Sequence, residues 1–483
     1  MPSKKDELEE KHKISRRKFL GVSTAAAAGG IVGGLVVGAV GGYLAGQSAA
    51  PPATVTETKT TTVTAATAAP QTVTTTVTAP ATTVTQTVTA ARIEAAPRVI
   101  KIGGTVCVTG IFSSSTGVQG KMYDAWAKLV NEKYGGIYVE EYGRHLPVQV
   151  IWYDDKSDPP TVEKYYTKLC TEDKIDIAMG PMTAVNAFPA ATICERYGVP
   201  EIDLQAAEVP IFNKKWVFGS LDIMPKWLLN YLEMLKDEGK AKSIAFINSD
   251  EPFGNEVNGG GMEIASRMGF NVLGQLKYTF ETTDFTPIIT KLKEWNPDVV
   301  SMCDPTGILQ ATFWKQARAL GFKPKDFHPC FGALGPVAKA MGGLENWITA
   351  DLYWHEELPY QGVWSKRFYE QVQKEAGYTD FDWPWVTIAF FGLEMAAKAI
   401  EIAGSLDKEK IRKALDEMHI LTIAGPHRAW HEPGPWFLDD PQYKAVGAGL
   451  IRAFPVQWQN GKRVILWPPE IRTGRHVYPA PFE

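Results

Sequence analysis

The feature that most constrains the fold is a strand–turn–helix unit that recurs along most of the chain. Its clearest copy is Ile175–Asn186, in which five mostly apolar residues meet Gly180-Pro181 before Thr183 opens a segment with helical spacing. Such a unit places free backbone N–H groups and a hydroxyl at the carboxyl end of a strand, where open α/β sheets bind ligands. A single unit of this kind is also an ordinary connection between a strand and a helix, so by itself it does not indicate a binding site. A binding site is indicated only where several of these strand ends come together.

Two consecutive series of these units predict two α/β lobes. The first series runs from Arg98 to a polar corner at Gln205–Glu208, and the pattern restarts at Ser243. Because strand and helix alternate throughout, each series predicts a parallel sheet covered by helices. The predicted strands are Val99–Val108, Val148–Tyr153, Ile175–Met179, Val199–Leu204, Ser243–Asn248, Asn271–Tyr278, Asp298–Met302, His328–Phe331 and Trp347–Tyr353.

The C-terminal part returns to these lobes and does not form a third one. It contains a long apolar helix, Trp385–Ala403, and a hairpin signal at Asn460-Gly461. We expect residues 98–222 with about 355–440 in one lobe, and about 223–354 with 441–483 in the other. Several crossings between two lobes make a hinge, and the cleft that a hinge closes is where a ligand is expected.

The first 97 residues predict export from the cytoplasm. Residues 1–20 contain a paired arginine within Ser15–Leu20, and residues 21–46 are an uncharged Ala/Gly/Val segment long enough to span a bilayer. This arrangement resembles a twin-arginine export signal. Residues 47–97 are rich in Thr, Pro and Ala and lack large side chains, which predicts a flexible or extended stalk. Whether the segment is cleaved or kept as a membrane anchor, we expect the rest at the cell surface or in the periplasm.

Composition excludes several classes of protein. With 50 basic against 54 acidic residues, the chain lacks the excess of positive charge that is typical of nucleic-acid-binding proteins. Its five cysteines form no C-x-x-C pair, so neither a zinc site nor a disulfide-dense scaffold is indicated. Two disulfide pairings stay open, Cys303 with Cys330 and Cys170 with Cys194.

Catalysis and metal binding are not indicated either. The sequence contains no P-loop, no G-x-S-x-G motif and no evident Cys/His arrangement. His427 and His431 lie near Glu432 in the sequence. They belong to a proline-rich loop, which makes a metal site there an unfavoured interpretation. We therefore expect no enzyme activity, no metal and no cofactor.

Several stretches between Lys101 and Trp467 together resemble one known family. They are Lys101–Gly110, Asn131–Ile137, Tyr153–Pro159, the Gly180 corner, Phe253-Gly254, Thr283–Val300, Gln316–Phe322 and Val456–Lys462. In this order and spacing they resemble the type I periplasmic binding proteins of the branched-chain amino acid transport group. The resemblance implies an α/β fold of two Rossmann-like lobes with parallel sheets, joined by a three-crossing hinge. It also implies closure on a small ligand, which is delivered to an ABC permease in the membrane.

The resemblance and the strand ends together give a set of candidate ligand-binding residues. Thr183 and Ala184 stand where the family holds a carboxylate at a helix start, and Phe253 and Trp385 stand where it places aromatic walls. The full set is Ser113, Ser114, Ser115, Thr183, Ala184, Gln205, Ala206, Ala207, Phe253, Asp304, Phe331 and Trp385.

The chain departs from the family where the ligand's ammonium group is usually bound. The position that usually carries a carboxylate is Phe331 or Cys330 here, and the nearest substitutes are Asp304 and Glu208. Because an unpaired ammonium in an apolar site costs several kcal/mol, we expect a carboxylate or amide with an apolar body in preference to leucine or valine.

Three functions are compatible with these features. The expected one is the extracytoplasmic substrate-binding component of an ABC importer, which closes its two lobes on a small amino-acid-like or carboxylate/amide ligand. The alternative is a ligand-sensing extracellular receptor domain. An exported enzyme is disfavoured, since no catalytic constellation is present.

Overall fold

The computed structural model describes residues 73–79, 82–88, 98–206, 208, 211, 214–428 and 452–482. The chain divides into two compact units, residues 1–92 and 93–483. In the first unit, strand β1 (Val73–Ala79) pairs antiparallel with β2 (Thr82–Val88). The Thr/Val alternation that we interpreted as a stalk therefore forms paired strands over these residues. The predicted export signal and membrane segment lie outside the described residues.

The second unit contains sixteen described strands. In chain order they are β3 (Ile100–Val106), β4 (Ile137–Val139), β5 (Arg144–Leu146), β6 (Val148–Asp154), β7 (Ile177–Met179), β8 (Glu201–Asp203), β9 (Val217–Gly219), β10 (Ser243–Ser249), β11 (Asn271–Tyr278), β12 (Val299–Cys303), β13 (Asp326–Pro329), β14 (Thr349–Leu352), β15 (His419–Thr422), β16 (Gly425–Arg428), β17 (Phe454–Gln459) and β18 (Lys462–Ile465).

Twelve α-helices connect and cover these strands within the described residues. They are α1 (Ser113–Thr116), α2 (Gln119–Tyr134), α3 (Pro159–Lys168), α4 (Ala184–Tyr197), α5 (Leu229–Glu238), α6 (Pro252–Arg267), α7 (Thr286–Trp295), α8 (Ile308–Ala319), α9 (Gly335–Ala340), α10 (Lys366–Ala376), α11 (Val386–Ala403) and α12 (Lys408–Glu417). A π-helical turn, Leu169–Asp173, continues α3. Among the helices that can be described, none is both long and apolar enough to cross a membrane.

Two parallel sheets form the framework of the second unit. The first has the strand order β6-β3-β7-β8-β9, and the second has the order β11-β10-β12-β13. Strands β7 and β12 are buried along their whole length, as expected for strands covered by helices on both faces. The prediction of two Rossmann-like lobes with parallel sheets is therefore confirmed.

The chain crosses between the lobes three times. The first crossing lies between β9 and β10, and the second lies between β14 and α10, which packs on α2 of the first lobe. The third lies between β16 and β17, after which β17 and β18 join β14 in an antiparallel sheet. The hairpin between β17 and β18 has positive φ angles at Asn460 (51°) and Gly461 (79°), which confirms the predicted type I′ turn.

Acidic residues lie at the starts of two helices, and only one of them is a cap. The Asp158 carboxylate accepts a 3.0 Å hydrogen bond from the Thr161 N–H and caps α3. At α7 the N-cap residue is Phe285. Asp284 instead accepts from the Thr286 N–H at 2.9 Å, one position too early to reach the second or third helical N–H.

The five cysteines are all buried and free. Cys303 ends β12 and Cys330 follows β13, with the Cys330 N–H donating to the Met302 carbonyl at 2.9 Å. Cys170 and Cys194 also approach each other closely enough for their side chains to hydrogen-bond. Neither of the two disulfide pairings that the sequence left open is therefore formed.

Candidate functional site

The carboxyl ends of the two parallel sheets meet around a partly open cavity, which leaves about 330 Å³ of free space when the part open to solvent is included. Residues that follow β7 and β8 come from the first lobe, and residues that follow β10, β12 and β13 come from the second. The lining residues are Met182, Thr183, Gln205, Leu221, Trp227, Phe253, Pro305, Phe331, Trp385 and Ile388. This is the place where open α/β sheets bind ligands.

The first-lobe side of the cavity is built around Thr183. This residue is the N-cap of the 14-residue helix α4 and has φ 66° and ψ 153°, a strained conformation for a β-branched residue. Its carbonyl accepts from the N–H groups of Asn186 and Ala187, while its buried Oγ1 has no hydrogen-bond partner. The first N–H groups of a helix carry partial positive charge, so this corner favours a negative or carbonyl oxygen.

Gln205 is held beside Thr183 by backbone pairing and by its own side chain. Residues Met182 and Gln205 form a parallel bridge, which brings the two strand ends together. The Gln205 Nε2 donates to the Trp385 carbonyl at 2.9 Å and to Gln119 Oε1 at 3.3 Å. Its Oε1 is buried and has no partner. The cavity therefore has an unsatisfied acceptor next to the unsatisfied hydroxyl of Thr183.

Four aromatic side chains that line the cavity contact one another in a ring, each touching the next. We call them the aromatic wall; they are Trp227, Phe253, Phe331 and Trp385. Ring centroids are 5.2 Å apart for Trp227 and Phe253, 6.2 Å for Phe253 and Phe331, 4.7 Å for Phe331 and Trp385, and 5.6 Å for Trp385 and Trp227. The first two pairs meet edge to face, the arrangement that ring quadrupoles favour. The indole Nε1 of Trp385 is buried without a partner. The wall therefore offers flat apolar faces and one spare N–H donor.

The acidic candidates do not line this cavity. Asp304 Oδ1 accepts from the N–H groups of Thr306 and Gly307 at 2.8 and 3.2 Å in its own turn, and its Oδ2 accepts from the hydroxyl of Tyr278 on β11 at 2.8 Å, so both oxygens are engaged. Glu208 is fully buried, neither of its oxygens has a partner, and burial raises the pKa of its carboxyl well above the usual range. The lining residues include no acidic or basic side chain.

The serine corner connects the two lobes and does not line the cavity. Ser113 donates to the Gly110 carbonyl at 2.8 Å. Ser114 and Ser115 donate to the carbonyls of Thr306 and Pro305 at 3.3 and 3.1 Å, which belong to the loop after β12 in the opposite lobe. The hydroxyl protons of this corner are therefore used within the protein, and those of Ser114 and Ser115 bond across to the opposite lobe.

Of the predicted site residues, Thr183, Gln205, Phe253, Phe331 and Trp385 lie together around the cavity. Ala184 is the buried first residue of α4, the Ala206 N–H donates to Asp203, and Ala207 lies outside the described residues. The lining residues that the sequence did not suggest are Met182, Leu221, Trp227, Pro305 and Ile388.

The His427 region has a structural explanation. His427 is fully buried, it hydrogen-bonds the Ser220 carbonyl, and burial lowers its pKa to about 4. His431 and Glu432 lie outside the described residues. Within the part of the chain that is described, no three His, Cys, Asp or Glu side chains are grouped so that they could hold a metal ion.

Comparison with known proteins agrees with this architecture. Residues 99–435 match the model of a family described as periplasmic binding proteins. A Leu/Ile/Val-binding protein homolog of Brucella melitensis is 22% identical over 338 residues, which cover 68% of this chain and 83% of that relative.

Two solved structures illustrate the similarity of fold. The leucine-binding protein LivK of Thermotoga maritima superposes with a TM-score of 0.62 at 17% identity, covering 77% of this chain and 99% of that one. A solute-binding protein of an ABC transporter from R. palustris, solved in complex with benzoate, gives a TM-score of 0.60 at 16% identity, covering 76% and 96%. With two parallel-sheet lobes, three crossings and a family match over residues 99–435, the chain belongs to the periplasmic binding protein family and has the type I fold.

Proposed function

We propose that this protein is the extracytoplasmic substrate-binding component of an ABC importer. In this proposal its lobes close on a small carboxylate or amide that has an apolar, preferably aromatic, body, and the closed form delivers the ligand to a permease. The observation that carries the proposal is the cavity itself, which combines the aromatic wall with unpartnered polar atoms on Thr183, Gln205 and Trp385.

The two sides of the cavity favour different parts of such a ligand. On the first-lobe side, the start of α4 and the Thr183 hydroxyl favour an anionic or carbonyl oxygen. On the other side, stacking on the aromatic wall adds about 0.5–1.5 kcal/mol per ring pair beyond the burial of apolar area. A ligand ammonium would face no carboxylate among the lining residues, and leaving it unpaired costs several kcal/mol.

The similar proteins support this ligand class. The R. palustris protein was solved with benzoate, which joins a carboxylate to a flat apolar ring. The Thermotoga protein is a leucine-binding protein, so the shared fold by itself does not select between these ligands. The choice rests on the lining of this chain's own cavity, and the same reasoning makes binding without chemical turnover the expected activity.

Export and attachment belong to the same proposal. The paired arginine within residues 15–20 and the uncharged stretch from Gly21 to Gly46 support export by a twin-arginine-type signal, with the option of a retained membrane anchor. Attachment would keep the binding lobes near the permease. Protease treatment of cells stripped of their outer envelope tests this part, since an exported protein is then cleaved and a cytoplasmic one is protected by the inner membrane.

Identification of the bound molecule tests the proposal. The protein is purified without denaturation, and native mass spectrometry followed by release identifies what it carries. We expect one small carboxylate or amide per chain, returned unchanged after long incubation. Conversion of the released molecule into a product would indicate an enzyme instead. Deletion of the gene is expected to abolish uptake of that molecule by the cells, whereas a sensing domain would leave uptake intact.

A further inference from the structure

Three polar atoms on the lining residues are buried without a hydrogen-bond partner. They are Thr183 Oγ1, Gln205 Oε1 and Trp385 Nε1, on residues that are 2%, 7% and 2% exposed. A buried polar atom without a partner costs about 1–3 kcal/mol, so a ligand that satisfies these atoms gains affinity. Thr183 and Trp385 can donate a proton, but Gln205 Oε1 can only accept one.

The orientation of the Gln205 amide is fixed by its neighbours. Its Nε2 donates to the Trp385 carbonyl at 2.9 Å, and that carbonyl can only accept. Its second partner is Gln119 Oε1 at 3.3 Å, and the Gln119 amide in turn contacts the Tyr123 hydroxyl, which can donate or accept. Turning the Gln205 amide over would set its oxygen against the Trp385 carbonyl, which fixes the orientation. Oε1 is therefore the atom that remains for a ligand.

This acceptor distinguishes between ligand head groups. A carboxylate satisfies the Thr183 hydroxyl and the start of α4, but it has no proton for Gln205 Oε1 and places a negative oxygen beside it. An ammonium supplies a proton but brings a full charge into a cavity whose lining residues include no acid. A carboxamide supplies both groups while remaining neutral, since its oxygen accepts and its N–H donates.

The two strand ends that carry these atoms are neighbours, since Met182 and Gln205 form a parallel bridge. A carboxamide has its acceptor and its donors on one planar group, so it can serve polar atoms of opposite need on neighbouring residues. We propose that the ligand is a carboxamide with an aromatic or branched apolar body, its carbonyl on Thr183 and the start of α4 and its N–H on Gln205 Oε1. This inference rests on the proposed function and narrows its ligand class.

The carboxamide assignment is tested with pairs of ligands that differ only in carrying an acid or an amide group. The full-length protein is titrated calorimetrically at pH 7 with benzamide and benzoate, with 3-methylbutanamide and 3-methylbutanoate, and with phenylalanine. We expect the amide of at least one pair to bind about tenfold or more tightly than its acid, which corresponds to about 1.4 kcal/mol. Equal or tighter binding of the acids, or tightest binding of phenylalanine, would overturn the carboxamide assignment and leave the proposed function standing. No binding of any of the five would overturn both.

Two variants test whether Gln205 is the residue that causes the preference for amides over acids. Gln205→Met keeps the length of the side chain and removes the acceptor, so the amide preference should disappear through weaker amide binding. Gln119→Met is the control, since it removes a partner of Gln205 Nε2 and leaves the bond to the Trp385 carbonyl. A preference that persists in folded Gln205→Met, or one that disappears equally in Gln119→Met, would contradict the assignment. If Gln205→Met does not unfold cooperatively, the carboxamide assignment is still decided by the acid and amide affinities of the unmodified protein.

Discussion

The indole Nε1 of Trp227 donates a 2.6 Å hydrogen bond to Asp351 Oδ2. Trp227 belongs to the aromatic wall, and Asp351 lies on β14, in the antiparallel sheet that the last crossing completes. Asp351 is fully buried, and the same oxygen lies 3.3 Å from His328 Nε2. One ring of the aromatic wall is therefore hydrogen-bonded to a buried residue that does not line the cavity.

Replacing Asp351 should weaken ligand binding through Trp227. Asp351→Leu removes the acceptor and frees the indole to leave its place, whereas Asp351→Asn keeps an oxygen in reach. We expect the leucine variant to bind the tightest ligand of the acid and amide panel about tenfold more weakly, and the asparagine variant to lose much less. Calorimetry gives both affinities, and the tryptophan emission maximum reports the indole's surroundings. Equal losses in the two variants would show that the hydrogen bond does not position Trp227.

Phe331 should contribute directly to affinity. It touches both Phe253 and Trp385 and supplies a face of the cavity, so Phe331→Ala is expected to weaken binding by about 10- to 100-fold, or roughly 1.4–2.8 kcal/mol. Trp295→Phe is the control, because it changes a half-buried aromatic residue that does not line the cavity. If both variants bind as the unmodified protein does, the aromatic wall is only core packing.

Ser115 should stabilise the closed arrangement of the lobes. Its buried hydroxyl donates to the Pro305 carbonyl at 3.1 Å across the cleft. Ser115→Ala leaves that carbonyl without this donor, and we expect affinity to fall by about 0.5–1.5 kcal/mol, mostly through faster release. Ser113→Ala is the matched control, since Ser113 bonds only within its own turn. Stopped-flow dissociation rates check this, and an unchanged rate in Ser115→Ala would contradict it.

His476 should make stability depend on pH above neutrality. Its Nδ1 lies 2.9 Å from Glu238 Oε2 and its Nε2 lies 3.3 Å from Asp326 Oδ2. Although burial alone lowers the pKa, these carboxylates raise it to about 9 from an ordinary 6.5. A raised pKa means that the stabilisation is complete below pH 6.5 and is lost as the pH rises through 9, by at most about 3 kcal/mol.

The His476 contribution can be isolated from other titrations by difference. Urea unfolding is measured at pH 6.5 and pH 9 for the unmodified protein, for His476→Gln and for His145→Gln, which changes an exposed histidine. The fall in unfolding free energy between these pH values should shrink in His476→Gln and stay the same in His145→Gln. The prediction would be wrong if His476→Gln showed the same fall as the unmodified protein.

Most of the framework could be predicted from the sequence because buried parallel strands have a strong local signal. Apolar runs such as β10 and β12, each followed by a turn and a helix, needed no long-range information. The three-residue strand β9 was missed because it is too short to show a pattern. The pairing of β14 with β17 was missed for another reason, since the partners are about a hundred residues apart.

The candidate site was only partly predictable for a related reason. Thr183, Phe253 and Phe331 follow strand ends, and the topology alone brings them to one edge. Trp227 lies in a crossing segment, where no strand end marks it. The serine corner looked equally suited to a ligand, but the partners of a hydroxyl depend on the opposite lobe, and Ser115 meets the Pro305 carbonyl there. Which polar atoms stay unsatisfied is a property of the packed structure.

The central claim is that the cavity selects a small molecule with an apolar body and without an ammonium group. The most direct test is calorimetric titration of the protein with leucine and with the keto acid and the amide that share its apolar side chain but lack the ammonium, 4-methyl-2-oxopentanoate and 4-methylpentanamide. We predict that at least one of the latter two binds more tightly than leucine, since no lining residue supplies the charge that an ammonium needs. Micromolar binding of leucine without binding of the keto acid or the amide would contradict this account, because it would mean that Glu208 or another acid reaches the ligand.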